Sequence, residues 1–357
     1  MDVLKVKLNE LRAFCESDLY RSFPVKPISP LRVESYLSNP RAKAEDTVLF
    51  MFVEGEKLIA FRTVLPDSVI SMDKVERFAW FSGVWVSPEY RGKKLSLELS
   101  THVLAEWKNR MMVTNYTALS DRATISRSRF YKMLSREGMR FYLYPNLNRI
   151  YKDRENYWWS RFILPWMSLA VSIVSLLRVL FFAAFFPKRK YIEQDSLDDE
   201  CRAYLRTFPD TVFNRREAEL DWIFRYRWIM QSTAENTSYP FSYLKKRHSM
   251  RIVKMLENGV FAGFFIYTII ESRMKIIYYF MDDRLHPRMA DIVSQIAAKR
   301  CIQYLTVLDP RLVPIFAKRN RCFSHTRIYT SHVYTSLHVF SKNIQLVFDG
   351  DGDNCFT

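Results

Sequence analysis

The stretch "VWVSPEYRGKKLSLEL", residues 84–99, runs from an alternating apolar segment through a serine-proline step and a basic turn into residues spaced like a helix. A strand that ends in such a loop and feeds straight into a helix aims unpaired backbone N–H groups, and the positive end of the helix dipole, at one point. That point is an anion site, above all for phosphate. The elements on either side say which kind of fold presents it.

Upstream, residues 47–65 read as two strands around a turn at Glu54–Gly55, and residues 76–86 as a third strand interrupted by Gly83. Downstream, Leu95, Leu97, Leu99, Val103, Leu104 and Trp107 predict a helix over 93–110, followed by a strand over 111–119. Residues 126–138 read as a helix closed by Gly138, and 139–152 as a last strand pair. The first twenty residues lack the pattern of a signal peptide and read as a helix. The same order returns later: a hairpin over 251–270 turning at Asn258–Gly259, a strand at 274–282, a helix at 289–301, a strand at 302–309, a helix at 311–320 and a closing strand pair. Two copies of one α/β architecture is the economical reading.

Between the copies lies "FILPWMSLAVSIVSLLRVLFFAAFFP", residues 162–187, with Trp158 and Trp159 before it and Lys188, Arg189 and Lys190 after it. It is long enough to cross a bilayer. Arg178 inside it, and the need to keep two similar halves on one side, favour a surface-lying helix or a hairpin, and the flanking tryptophans and bases suit an interfacial anchor. The expected division is therefore residues 1–150, 151–190 and 191–357. The chain carries 54 Lys and Arg against 38 Asp and Glu, a formal charge of +16, which points to anionic partners. The excess per residue is greatest in 151–190. Five well-separated cysteines form no metal or disulfide pattern and fit a reducing cytoplasm, and the six histidines form no ligand pair on one helix face. No helix-turn-helix, zinc or arginine-rich motif supports binding of DNA.

The residues around the turn resemble the GCN5-related N-acetyltransferase (GNAT) superfamily. In that family a strand ends in a loop of pattern Q/R-x-x-G-x-G/A, here Arg91, Gly92, Lys93, Lys94, Leu95 and Ser96, and the next helix begins on the pyrophosphate of acetyl-CoA. The fourth position is Lys94 where the pattern has glycine. The preceding strand is splayed at a bulge in the family, so the resemblance assigns Val84, Trp85 and Val86 to the pantetheine arm. A second signature, "ISRSRFYKMLSREGMRF" (125–141), places Ser126 and Arg127 near the cofactor and Tyr131 where the family often keeps the tyrosine that protonates the departing thiolate.

The resemblance implies two GNAT-like domains, each a mixed central sheet flanked by helices, joined by an apolar helical segment or hairpin. It implies an acyl-CoA N-acyltransferase using acetyl-CoA or another acyl-CoA, with no metal and with an amine acceptor. Such chemistry needs a base for the ammonium, a polarised thioester carbonyl and an acid for sulfur. Glu76 and Asp121 are the candidate bases, with Asp67 behind them and Ser82 and Asn115 as water relays; spacing distinguishes none of them. The second copy has "DDRLHPRMA" (282–290) at the loop and Phe316 in place of the tyrosine, so it is expected not to bind CoA. The apolar middle places the enzyme at the cytoplasmic face of a membrane, with a lipid-linked amine or amino sugar as acceptor. An aminoacyltransferase of the peptidoglycan-bridge type, drawing on charged tRNA, and a CoA-binding scaffold are the alternatives. Asp349, Asp351 and Asp353 in the tail resemble the start of a calcium loop, but the chain as given holds no twelfth-position Glu for one; an acidic tail folded over a basic site is a better reading than calcium, and a plain flexible end is the leading expectation.

Overall fold

The computed structural model describes residues 3–71, 74–115, 130–144, 160–185, 188–234, 238–241, 243–319, 322–337 and 347–356. In chain order the strands are β1 (Val3–Lys7), β2 (Thr47–Glu54), β3 (Lys57–Ser71), β4 (Lys74–Val86), β5 (Met111–Asn115), β6 (Tyr131–Tyr142) and β7 (Tyr191–Gln194). They continue with the two-residue β8 (Met230–Gln231) and β9 (Leu244–Lys245), then β10 (His248–Glu257), β11 (Val260–Ile270), β12 (Arg273–Met281), β13 (Tyr304–Val307) and β14 (His325–Thr335). The helices are α1 (Leu11–Glu16), α2 (Asp18–Ser22), α3 (Pro30–Leu37), α4 (Leu95–Glu106), α5 (Ser160–Phe185), α6 (Asp199–Thr207), α7 (Glu217–Arg225), α8 (His286–Lys299) and α9 (Val313–Lys318).

Two compact units result: Met1–Ser135 with Leu205–Lys246 and Ser331–Thr357, and Arg136–Tyr204 with Arg247–Thr330. They do not follow the division at 150 and 191 that composition suggests. In the first unit the sheet runs β1, β2, β3, β4, β5 and then the end of β14. All neighbours are antiparallel except β4 and β5, whose parallel pairing is confined to Ala79–Trp80 against Met111–Met112. Parallel neighbours need a crossover, and α4 supplies it, burying Leu99, Val103 and Leu104 against Phe50, Phe52 and Phe81 of the sheet.

In the second unit the order is β7, β10, β11, β12, β13 and the end of β6, again with one parallel pair, Arg273–Lys275 of β12 against Tyr304–Thr306 of β13, joined by a helix, α8. The same architecture is thus present twice. Each unit takes its last strand from the other half of the sequence: His332–Thr335 pair with Asn115–Met112, and Met139–Tyr142 pair with Val307–Tyr304.

Two expectations change. Residues 126–138 were expected as a helix; Tyr131 onward is strand β6, and 116–129 lie outside the described residues. The reason is Gly138, which does not cap a helix. A Cβ there would come within 2.5 Å of the Val307 carbonyl oxygen and 2.7 Å of Leu308 Cα, so this glycine lets β6 lie against the adjacent backbone. At the N-terminus, "VLKVK" forms β1 against β2, with Val6 its buried residue, and the helix starts only at Leu11. Of the two forms expected for the apolar middle, helix or hairpin, the structure has the first, one continuous 26-residue helix, α5. The second hairpin turns as expected, with Asn258 and Gly259 both at positive φ (53° and 85°), the backbone of a tight two-residue connection, whereas the first turns one residue later than expected, at Gly55 and Glu56 between the paired Glu54 and Lys57.

Candidate acyl-CoA site

Strand β4 keeps its pairing with β3 to Val86 but leaves β5 after Trp80. Among the described residues its other edge, from Phe81 to Val86, therefore has no strand neighbour, and its N–H and C=O groups face an opening between β4 and β5. The register with β3 also shifts: Arg62 faces Val84 while Val64 faces Phe81, so Ser82 and Gly83 together oppose Thr63. This is a β-bulge, closed by the Gly83 N–H donating to Thr63 Oγ1 at 2.9 Å. Gly83 has no room for a side chain, since a Cβ would lie 2.9 Å from the Phe241 ring and 3.2 Å from Arg32 Nη1.

Beyond Val86 a short 3-10 turn, Pro88–Tyr90, leads into the basic loop and α4. Tyr90 anchors the turn: its hydroxyl donates to Glu54 at 2.9 Å, and its ring packs with Leu95 on the core. The N–H groups of Arg91 and Lys93 are used within the turn, bonding the carbonyls of Pro88 and Tyr90. Those of Gly92, Lys94, Leu95 and Ser96 have no partner among the described residues. Four donors converge where the helix dipole is positive, beside the exposed side chains of Arg91, Lys93 and Lys94. Gly92 (φ +86°) and Lys94 (φ +61°) both adopt the left-handed region, so Lys94 takes a conformation that favours the glycine it replaces in the family pattern. Arg91 and Lys94 have no acidic partner among the described residues.

The opening at the bulge carries groups far apart in sequence. Ser82 Oγ donates to Asp353 at 2.7 Å and also bonds the Arg32 guanidinium. Arg32, on α3 and buried, bonds the Tyr239 hydroxyl at 2.8 Å and stacks 3.8 Å over Trp228. The acidic tail is held there firmly: Phe356 stacks on Trp228 at 4.5 Å, Gly352 lies flat on Trp80, and Asp351 faces Arg215 at 3.5 Å. Two aspartates of the tail turn to different partners, Asp351 to the Phe348 N–H and Arg215 and Asp353 to Ser82.

The expected site residues separate into three groups. Val84, Trp85 and Val86 lie on the open edge, with Trp85 stacked on Phe61, and residues 91–96 form the donor loop. Tyr131, although on a strand, follows Phe130, whose ring packs 5.7 Å from Phe81 at the point where β4 and β5 part; Tyr131 is 36% exposed, and burial raises its phenol above the ordinary value. Glu76 is not brought to this place. It lies eight residues before Val84 along β4, about 26 Å at strand spacing, and pairs with Arg110 at 3.6 Å. Asp67 is a buried ion-pair partner of Arg215 and Arg41. Asn115 faces His332 in the sheet. Asp121, Ser126 and Arg127 lie outside the described residues. Asp353, which sequence reasoning left unassigned, is the carboxylate beside the bulge; only the run of aspartates in the tail hinted at it.

At the corresponding place in the second unit the donors are already occupied. Asp282 caps the short turn, its side chain accepting from the Arg284 N–H at 2.9 Å, and Pro287 removes another donor from the start of α8. Beyond the paired residues of β12 and β13, the Tyr279 hydroxyl bonds Asp309, and Arg311 is clamped on both. Phe316 is buried against Phe141. No free anion loop remains there among the described residues.

Neither a protein-family model nor a curated protein matches the chain at the level of sequence. Solved structures do: 94% of the chain aligns with 98% of a tandem GNAT protein from the clavulanic acid biosynthesis pathway, at a TM-score of 0.52 and 9% identity. The chain has the tandem GNAT fold. The same share aligns with 78% of Saccharomyces cerevisiae N-myristoyltransferase with bound myristoyl-CoA, at a TM-score of 0.52 and 11% identity. The parallel strand pair that splays after two residues, the crossover helix and the basic loop before it are where the GNAT resemblance of the sequence places acyl-CoA, and among the described residues only the first unit keeps that loop open.

Proposed function

We propose that this chain is an N-acyltransferase that moves an acyl group from acyl-CoA to an amine. The observation that carries the reading is the joint presence, in one unit, of four unpaired N–H donors at residues 92–96 and an open, bulged strand edge beside a carboxylate, Asp353. The donor loop with Arg91 and Lys94 holds the pyrophosphate. The open edge over Val84–Val86 holds the pantetheine arm, and backbone N–H groups near the bulge polarise the thioester carbonyl. Asp353, directly or through Ser82, accepts the proton of the incoming ammonium, the new C–N bond forms as the C–S bond breaks, and the Tyr131 hydroxyl protonates the departing thiolate. The acceptor is an amine at the cytoplasmic face of a membrane, with an aminolipid or lipid-linked amino sugar as candidates.

Calorimetry with acetyl-CoA and with myristoyl-CoA tests the reading. Binding by the wild type that an Arg91→Glu, Lys94→Glu double variant loses at least tenfold supports it. No binding of either thioester overturns it and gives precedence to transfer from charged tRNA.

A further inference from the structure

The apolar helix α5 settles on the second unit by a single line of residues. Ser168, Val171, Ser175, Val179 and Phe182, spaced three, four, four and three apart, are the buried or half-buried positions of one helical face, and the side chain of Arg178 beside them donates to the Phe323 carbonyl at 2.8 Å. The lone charge within the apolar run, although exposed, is thereby tied to the protein by one hydrogen bond. Around the rest of the circumference, twelve large apolar side chains from Phe162 to Phe185 are exposed, among them Trp166 at 72% and Phe185 at 71%. Soluble proteins rarely leave an apolar surface of this extent in water.

We infer that α5 lies in the plane of an anionic bilayer, sunk into one leaflet, with its Arg178 line kept on the second unit. The inference rests on the membrane placement proposed above and specifies its geometry. A spanning helix would have to carry that docked line, from Ser168 to Phe182, through the hydrocarbon together with the protein it is bound to. Lying flat, a helix about 10–12 Å across fits within one leaflet of a roughly 30 Å core. The exposed surface is convex and wraps most of the helix, which lipid can cover throughout and a groove on a protein partner cannot. Charge agrees: Lys188 and Lys190 follow the helix, exposed and without an acidic partner among the described residues, on a chain of net charge +16. Such bases at the end of an in-plane helix meet acidic headgroups.

The test uses the full chain, purified in detergent and diluted into sucrose-loaded vesicles of phosphatidylcholine alone or mixed with phosphatidylglycerol. Wild type is expected to pellet with the mixed vesicles, less so as salt is raised. A Leu176→Glu, Leu177→Glu, Leu180→Glu variant should lose this by about tenfold or more with an unchanged melting temperature, because all three side chains face away from the docked line. Nitroxide labels at Leu169→Cys, Leu176→Cys and Phe185→Cys, with Cys15 and Cys301 replaced by serine, should report the same shallow depth. Labels deepest at Leu176 and shallow at both ends would mean a span and overturn the inference. So would failure to bind acidic vesicles, or binding that the triple glutamate variant leaves intact. No step involves CoA or acyl transfer, so failure here and failure of the acyltransferase reading are separately visible.

Discussion

Asp67 decides whether a buried carboxylate near the bulge serves structure or chemistry. Its side chain is 2% exposed and accepts from Arg215 at 2.5 and 2.9 Å, from Arg41 at 2.9 Å and from Trp80 Nε1 at 2.7 Å. Asp67→Asn keeps the outline and removes the charge, leaving two guanidinium groups in a low-dielectric interior. Breaking a buried pair from one side costs about 3–5 kcal/mol, and Asp351 at 3.5 Å from Arg215 should hold the loss near the lower end. For a folding unit of roughly 200 residues that is a fall in Tm of about 10 °C. The assay is thermal and urea unfolding, followed by far-ultraviolet circular dichroism. An Asp67→Asn, Arg215→Met double variant should regain part of the loss, since it removes the unpaired charge as well. Burial by itself would raise the Asp67 carboxyl, but the charges and hydrogen bonds of Arg215 and Arg41, with Trp80, outweigh it and hold it below the ordinary value. Its stabilising contribution is therefore present above the unfolded carboxylate range and fades as pH falls below about 4. If Asp67→Asn melts within about 1 kcal/mol of wild type yet abolishes acyl transfer, the structural assignment is refuted and Asp67 is a reacting group.

Two further substitutions probe the elements that sequence misread or left open. Gly138→Ala should destabilise the second unit by about 2–3 kcal/mol, because the new methyl group meets the backbone of Val307 and Leu308, and denaturant unfolding reads it directly; a neutral result would mean that β6 is not seated there. Lys94→Gly should relieve a left-handed non-glycine residue and raise stability by about 0.5–1 kcal/mol, while removing one cation from the loop and weakening acyl-CoA binding in calorimetry; tighter binding would argue that the Lys94 side chain faces away from the ligand.

Much of this was legible because it is local. The hairpins around Gly55 and at Asn258–Gly259, the crossover helix with its apolar stripe, and the basic loop after β4 all follow from periods and turn residues within a few positions of each other. The apolar run at 162–187 announced a helix in the same way. What could not be read is what depends on contact between distant segments. Gly138 looks like a helix stop until its neighbours Val307 and Leu308 are known, and then it is a close approach between strands. Lys94 gives no sign in sequence of its left-handed backbone, which the geometry of the strand-to-helix turn imposes. The sequence by itself determined two copies of one α/β order and the phosphate-like loop in the first, since strand, turn and helix signals are short-range. Tertiary structure alone decided which strand completes each sheet, that Arg178 of α5 bonds the Phe323 carbonyl, and that Asp353 meets Ser82 across 271 residues of chain. Chain closure brings those groups together, and no local pattern encodes it.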